Sequence, residues 1–173
     1  MTGLPRVALA SDVPEILRLG ALMYASGGMG VDAAWRDLGR AQLESRLGAD
    51  LHGWVIDDEE SAGALAACGF VNRSPRLPLP GASSALRGYV QWVVTDPEHQ
   101  RRGLARSIMG AIMEWAVVES VEVLELQSSL AARPLYASLG FVFSPNIEFP
   151  PEVFGAPMQW RTGRTATGSA RPS

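Results

Sequence analysis

The sequence predicts one mixed α/β domain in which helices cover a central sheet, and three observations lead to this fold class. The chain has 173 residues, which is enough for one domain with its own core and too few for two ordinary domains. Hydrophobic residues make up 47% of it, as in most globular proteins. Apolar residues recur at strand spacing in some segments and at helix spacing in others, in the order β-α-α-β-β-β-α-β-α-β-β.

Composition excludes several classes of function. The formal net charge is -3 and the pI is about 5.4, so the chain lacks the basic field of nucleic-acid-binding proteins. All 15 basic residues are arginines, a usage that indicates a high-GC genome. The single cysteine, Cys68, excludes a disulfide within the chain and is expected to be a small buried residue.

Targeting signals and metal ligands are not expected either. No segment is apolar over a length that would span a membrane, and residues 1–7 lack the apolar core of a signal peptide. The acidic run 57–60 lies between two predicted strands, where a solvated hairpin turn is expected and not a metal site. We therefore expect a cytoplasmic protein without a membrane partner, a nucleic-acid partner or a metal.

The first elements are a strand and two helices. Residues 7–10 have the composition of a strand, and Ser11 or Asp12 is suited to cap the helix that follows. The glycine-rich run 27–30 ends that helix. A second helix is predicted over residues 32–47, because its apolar side chains share one face.

Two strands and a long loop come next. Strands are predicted over residues 52–57 and 62–72, from their apolar and β-branched composition. Residues 73–87 form a proline-rich loop. Long loops in compact domains usually have a function or are disordered, so we expect this loop to border the functional site.

The chain is organised around residues 88–105. Residues 89–95 are aromatic and β-branched and predict a strand, which Asp96 and Pro97 end. Residues 100–105 carry two arginines and Gly103 and run into a helical pattern. The start of a helix has free backbone N–H groups and a partial positive charge. This stretch therefore predicts a phosphate-binding site between a strand and a helix.

The rest of the chain alternates between the two periodicities. The predicted elements are a helix from Leu104 to about Glu119, a strand over 121–127, a short helix over 131–139, and strands over 141–143 and 158–161. Residues 144–157 contain four prolines and are expected to be irregular for much of their length. Residues 162–173 are expected to be a flexible tail.

Two motifs in this order resemble a known family. Gln100-x-x-Gly103-x-Ala105, after a strand and a proline, is similar to the acetyl-CoA signature of the GNAT superfamily of N-acetyltransferases. Residues 135–141, Leu-Tyr-x-x-x-Gly-Phe, resemble its second conserved segment, and Arg133-Pro134 before them is similar to a bacterial branch. The resemblance covers about residues 5–161. It implies a single GNAT domain over residues 1–161, with a mixed, mostly antiparallel sheet.

The resemblance implies that acetyl-CoA is the co-substrate and that no metal takes part. The residues that would bind acetyl-CoA are Val93, Val94, Thr95, Gln100, Arg101, Arg102, Gly103, Leu104, Ala105, Arg106, Ser107 and Ser129. Ser129 stands where many family members have asparagine, so the contact there differs. For the arginine side chains the alternative is a solvated surface charge.

The resemblance also implies catalytic roles. The backbone N–H of Val94 or a neighbour would meet the thioester oxygen as it gains charge, and Tyr136 would give the departing thiolate a proton or a hydrogen bond. The alternative for Tyr136 is a core aromatic with a satisfied hydroxyl. Glu125 is the first candidate for the general base, although the family often works through water. Its alternative is a solvent-facing strand carboxylate.

The acceptor is the open question. The leading hypothesis is N-acetyl transfer to a primary amine of a small molecule, such as an amino acid derivative, an antibiotic or a biosynthetic intermediate. A protein or peptide amine, a longer acyl donor and a non-catalytic acyl-CoA-binding module are the alternatives. A homodimer is expected from the family and from the frequency of twofold assemblies.

Overall fold

The structure is a computed structural model that describes residues 3–78, 80–144 and 155–163. Within them, seven strands form one sheet in the order β1-β2-β3-β4-β5-β7-β6. The strands are β1 Arg6–Val7, β2 Leu51–Asp57, β3 Leu65–Pro75, β4 Leu86–Thr95, β5 Val123–Ser128, β6 Val142–Phe143 and β7 Ala156–Arg161. Among these described strands, only β4 and β5 pair in parallel. The predicted mixed, mostly antiparallel sheet is confirmed.

Helices cover both faces of the sheet. The α-helices are α1 Val13–Ser26, α2 Ala33–Arg46, α3 Leu104–Val118 and α4 Arg133–Ser138. Helix α2 begins where the sequence indicates, because the Asp32 side chain accepts a hydrogen bond of 2.8 Å from the Trp35 N–H. One core cluster lies between the sheet and α3, and the other lies between the sheet, α1 and α2.

Two of the changes in predicted boundaries affect the first strand and the proline-rich loop. The first strand covers only Arg6–Val7, because Ala10–Asp12 forms a 3₁₀ turn that leads into α1. Strand β3 runs on to Pro75 and β4 begins at Leu86, so the proline-rich loop shortens to residues 76–85. Direct pairing of Ser74 with Arg87 extends this hairpin.

Two expectations about the end of the chain fall largely outside the described residues. The irregular segment 144–157 is described only at its two ends, where Ala156 and Pro157 already belong to β7. Of the expected tail, only residues 162 and 163 are described. None of the described helices has the length and apolar character that crossing a membrane requires.

Strands β4 and β5 separate after a short pairing, and we call the opening between them the strand gap. Arg87–Tyr89 of β4 pairs with Val123–Glu125 of β5, and β4 then continues to Thr95 without further pairing to β5. A β-bulge lies at the same level. The register of β3 against β4 shifts between Cys68 and Phe70, and Trp92 of β4 has a φ of 51°. A bulge bends the strand and redirects its side chains.

Candidate active site

One backbone N–H of the bulge points away from β3. The Cys68 thiol donates to the Trp92 carbonyl oxygen at 3.7 Å, on the β3 side. Because the C=O and N–H of a trans peptide point in opposite directions, the Val93 N–H points away from β3. The Val94 N–H instead faces the Cys68 sulfur. Of Val94 and its neighbour Val93, it is therefore Val93 whose N–H points to the β5 side of β4, where the strand gap lies.

The predicted phosphate loop forms a cleft of about 400 Å³, which we call the loop cleft. Eight residues predicted from the sequence line it, namely Thr95, Gln100, Arg101, Gly103, Leu104, Ala105, Arg106 and Ser129. The start of α4 forms the opposite wall through Ala132 and Leu135. Among the described residues, the lining includes two arginines and no acidic side chain, so the cleft suits an anion.

The backbone of the loop also suits an anion. Gly103 has a φ of 83°, and a Cβ built on it would meet no atom within 4 Å. It is the N-cap of α3, and no side chain caps that helix. The first N–H groups of a 15-residue helix are therefore available to a ligand in the cleft.

An ion pair stabilises the turn between the end of β4 and the phosphate loop. The Arg18 guanidinium binds the Asp96 carboxylate at 2.6 Å, and Asp96 also accepts from the Glu98 N–H at 3.1 Å. Across the cleft, the Arg106 guanidinium donates to the Ser138 hydroxyl at 2.6 Å. This last contact joins α3 to α4 across the loop cleft.

Not every predicted residue lines the loop cleft. Arg102 turns to a separate cavity of about 430 Å³, where its guanidinium lies 3.7 Å from the Glu60 carboxylate. His99 lines the same cavity, and its Nε2 lies 3.1 Å from Asp58 Oδ2. The Ser107 hydroxyl donates to the Gly103 carbonyl oxygen at 3.4 Å. The sequence does not distinguish Arg101 from Arg102, because opposite directions of neighbouring side chains depend on the loop backbone.

Tyr136 lies on α4, next to the wall of the loop cleft. It is 6% exposed and belongs to the core between the sheet and α3. Its ring packs against Phe141 with the centroids 5.8 Å apart. Burial raises the pKa of the phenol to about 12, so the hydroxyl keeps its proton at neutral pH and can donate a hydrogen bond.

Glu125 lies on the opposite face of the sheet from Tyr136. Its neighbours Leu124 and Leu126 belong to the core beneath α3, and side chains alternate along a strand. Its carboxylate is 3.3 Å from the Arg87 guanidinium and 3.6 Å from that of Arg76. The strand gap lies between these two faces, so groups on both sides of the sheet can act at it.

An aromatic cluster that the sequence does not reveal lies on the same face as α1 and α2. The rings of Trp35 and Trp92 are nearly parallel, with an interplanar angle of 19° and centroids 5.7 Å apart. Tyr24 meets both of them edge-on. The sequence places Trp35 only within the predicted helix 32–47 and Trp92 only within the predicted strand 89–95. Only the fold brings α1, α2 and β4 together.

Metal ligands do not cluster in the described part of the chain, where no group of three or more His, Cys, Asp or Glu side chains is placed to hold an ion. The acidic run Asp57, Asp58, Glu59 and Glu60 surrounds the cavity that contains Arg102. Asp57, Asp58 and Glu60 of this run contact Arg6, His99 and Arg102, respectively.

Comparison with known families gives one match. The model of the acetyltransferase (GNAT) family matches residues 25–141, which is more than half of the chain. This segment includes the strand gap, the loop cleft and Tyr136. A search of curated proteins finds no match.

Solved structures with this fold include several acetyltransferases. A predicted acetyltransferase from Clostridium acetobutylicum, solved with acetyl-CoA, aligns with a TM-score of 0.73 and 16% identity over 84% of this chain and 94% of that chain. A GCN5-related N-acetyltransferase from Ralstonia eutropha JMP134 aligns with a TM-score of 0.67 and 22% identity over 84% and 96%. At these identities the likeness establishes the fold. With the family match over residues 25–141, the chain belongs to the GNAT family of acetyltransferases.

Proposed function

We propose that the protein transfers an acetyl group from acetyl-CoA to a primary amine of a small molecule. The observation that carries the proposal is the loop cleft, because it joins a helix N-terminus to the strand gap. The Clostridium acetobutylicum structure with acetyl-CoA, which shares the fold, supports acetyl-CoA as the donor.

The residues of the loop cleft fit the pyrophosphate of acetyl-CoA. Free N–H groups at the start of α3, from Leu104 to Arg106, face a cleft whose described lining has no acidic side chain. Arg101 and Arg106 add positive charge, and a guanidinium pairs well with phosphate oxygens. The open space at Gly103 leaves room for an anion against the backbone.

When bound, acetyl-CoA supplies an acyl group activated as a thioester. The amine nitrogen forms a bond to the thioester carbon, and the carbon–sulfur bond breaks. The Val93 N–H faces the strand gap and would donate to the thioester oxygen as it gains negative charge. The nitrogen loses a proton and the sulfur leaves as a thiolate, so atoms and charge balance.

Tyr136 would stabilise the departing sulfur by a hydrogen bond. Its phenol has a pKa of about 12, whereas an ordinary thiol has a pKa of about 8.5. Full transfer of the phenolic proton to the thiolate is therefore unfavourable, and donation of a hydrogen bond is the role that fits. The thiolate then takes its proton from solvent.

Glu125 stays the first candidate for the base that takes the proton of the amine. It lies on the side of the sheet from which the acceptor would approach, beside the pairing that ends at the strand gap. Arg76 and Arg87 hold its carboxylate in place. A water held by this carboxylate would serve equally, because the amine need only lose its proton before or during attack.

Protein or peptide amines remain the second candidate acceptor. The small volume of the cavity on the α1–α2 face, about 230 Å³, favours a small molecule over a peptide. A homodimer and a cytoplasmic location stay predictions from the sequence. Sedimentation of the purified protein tests the first of these.

A thiol-release assay tests the proposal. Purified protein with acetyl-CoA and a panel of amines should release free CoA only when both substrates are present. Calorimetric binding of acetyl-CoA without turnover on any amine would support a non-catalytic acyl-CoA-binding module. Failure to bind acetyl-CoA would overturn the assignment of the donor.

A further inference from the structure

The α1–α2 face contains a cavity that we call the tryptophan cavity. It lies between α2 and the sheet and has a volume of about 230 Å³. Its apolar wall includes Trp35, Leu38, Leu43, Phe70 and Trp92. Leu38 is 64% exposed, so the cavity opens to solvent at that residue. A small molecule can therefore enter it.

The tryptophan cavity is connected to the proposed reaction centre through one peptide unit. Trp92 provides part of its wall, and the next residue, Val93, carries the N–H that faces the strand gap. Gln91 lines the cavity too. Two consecutive side chains reach one cavity because the bulge interrupts the alternation of the strand.

The charges around the cavity restrict its ligand. None of the described residues that line it is acidic. Arg46 is the charged residue among them. Its guanidinium binds the Asp50 carboxylate at 2.6 Å and donates to the side-chain oxygen of Asn72 at 3.1 Å. Gln91 also donates to Asn72, at 3.3 Å. The cavity thus offers no carboxylate to a second ammonium group.

The wall of the cavity favours a flat ring. Trp35 and Trp92 are nearly parallel, and the Tyr24 ring meets them edge-on at 5.7 Å and 6.1 Å. Three rings in mutual contact hold one another in fixed orientations. Aromatic ligands pack on such surfaces in offset or edge-to-face geometry, which adds to the free energy of apolar burial.

We infer that the tryptophan cavity binds the acceptor, and that the acceptor is a small primary monoamine with an aromatic body. This inference rests on the proposed acetyl transfer and specifies its substrate class. The ring would pack against Trp35, Leu38 and Trp92, and the amine would extend past Trp92 to the strand gap. Molecules with several ammonium groups would leave charges unpaired in the cavity, which is unfavourable.

The test compares three acceptors with the wild-type protein and acetyl-CoA. The probes are 2-phenylethylamine, spermidine and a short peptide with a free N-terminus. We expect kcat/KM for 2-phenylethylamine to exceed that for spermidine by about tenfold or more, since an unpaired buried charge costs at least that much. Release of CoA with spermidine or the peptide, and none with 2-phenylethylamine, would overturn the inference and leave acetyl transfer intact.

A matched pair of variants tests the site itself. Leu38→Asp adds a negative charge at the mouth of the cavity, and Ala41→Asp adds the same charge at an exposed position of α2 that does not line it. Because Leu38→Asp replaces an apolar contact of the ring by a charge, it should raise KM for 2-phenylethylamine about tenfold. The new carboxylate should lower KM for spermidine by pairing with its additional ammonium groups. KM for acetyl-CoA should stay unchanged. Ala41→Asp should leave all three unchanged. Equal effects of both variants on these KM values would overturn the inference that the tryptophan cavity binds the acceptor.

Binding measured without turnover separates this inference from the proposed function. Calorimetric titration with 2-phenylethylamine should give a signal that Leu38→Asp weakens and Ala41→Asp does not. If no amine releases CoA but this binding persists, acetyl transfer fails while the aromatic amine site stands. If 2-phenylethylamine neither binds nor reacts, the inference is wrong.

Discussion

Gly20 of α1 leaves the space that the Trp92 ring occupies. A Cβ built on Gly20 would lie 2.6 Å from Cζ3 of Trp92, which is far inside van der Waals contact. Gly20 is buried, so the helix cannot move away without disturbing the core beneath it. The absence of a side chain at one position of α1 therefore sets the position of the bulge residue on β4.

Replacing this glycine should displace the bulge. We expect Gly20→Ala to lower the free energy of unfolding by about 1–3 kcal/mol through overpacking and to raise KM for the acceptor. Gly110→Ala is the matched control on α3, because a Cβ there would meet no atom within 4 Å. That control should stabilise the protein by about 0.5–1 kcal/mol. Urea unfolding and steady-state kinetics measure both, and unchanged stability of Gly20→Ala would contradict the prediction.

The loop cleft should depend on the backbone conformation of Gly103. Gly103→Ala forces a residue with a Cβ into a φ of 83°, which costs about 1–2 kcal/mol, and points the Cβ into the open space of the cleft. KM for acetyl-CoA should rise about tenfold, equivalent to 1.4 kcal/mol of binding.

Gly63→Ala controls for backbone strain alone. Gly63 has a φ of 84° and equally open surroundings, and it does not line the loop cleft. The Gly63→Ala variant should lose about as much stability as Gly103→Ala and keep the wild-type KM for acetyl-CoA. A parallel rise of KM in both variants would show that strain, and not the cleft, is responsible.

Removal of the Tyr136 hydroxyl should slow turnover without weakening binding of acetyl-CoA. Tyr136→Phe keeps the packing against Phe141 and removes the hydrogen-bond donor. We expect kcat to fall about a hundredfold. Since the phenol has a pKa of about 12, this ratio should stay constant up to about pH 10. An unchanged kcat would remove Tyr136 from the mechanism.

Glu125→Gln tests the candidate base. The amide keeps the size of the side chain but cannot take a proton, so kcat should fall about a hundredfold. Glu122→Gln is the control, since Glu122 is also a partly buried carboxylate paired with an arginine, Arg161, at 3.6 Å. If Glu125→Gln shifts the urea midpoint but not kcat, Glu125 only anchors Arg76 and Arg87.

Cys68 should make stability depend on alkaline pH. Burial raises the pKa of its thiol from 9.0 to about 12. Above pH 9 the unfolded chain releases this proton while the folded chain keeps it. The unfolded state then binds fewer protons, so stability falls as pH rises, by up to about 1.4 kcal/mol per pH unit.

Cys68→Ala should flatten that dependence. Tyr136 contributes in the same direction above pH 10, so the slope of the variant is reduced and not abolished. Urea unfolding at pH 8, 9, 10 and 10.5 measures the difference. Equal slopes for the variant and the wild type would show that the thiol is not buried in solution.

Most of the fold can be predicted from local pattern. The strand that ends at Thr95 and the helix that begins at Leu104 lie where the sequence indicates, because proline, glycine and apolar periodicity act within a few residues. The predictions fail at the ends of strands, where pairing between distant residues decides how far a strand extends. The register of Ser74 with Arg87 extends β3 and β4 into the predicted loop.

The candidate site also has some features that follow from neighbouring residues and others that depend on long-range packing. The sequence by itself determined the loop cleft, since Gly103 and the start of α3 make an anion site from neighbouring residues. Only the tertiary structure decided that Arg101 faces this cleft while Arg102 faces Glu60, and that the Val93 N–H faces the strand gap. It also brought Trp35 against Trp92. The physical reason is that these contacts join residues far apart in the chain, so their geometry depends on how the sheet and helices pack.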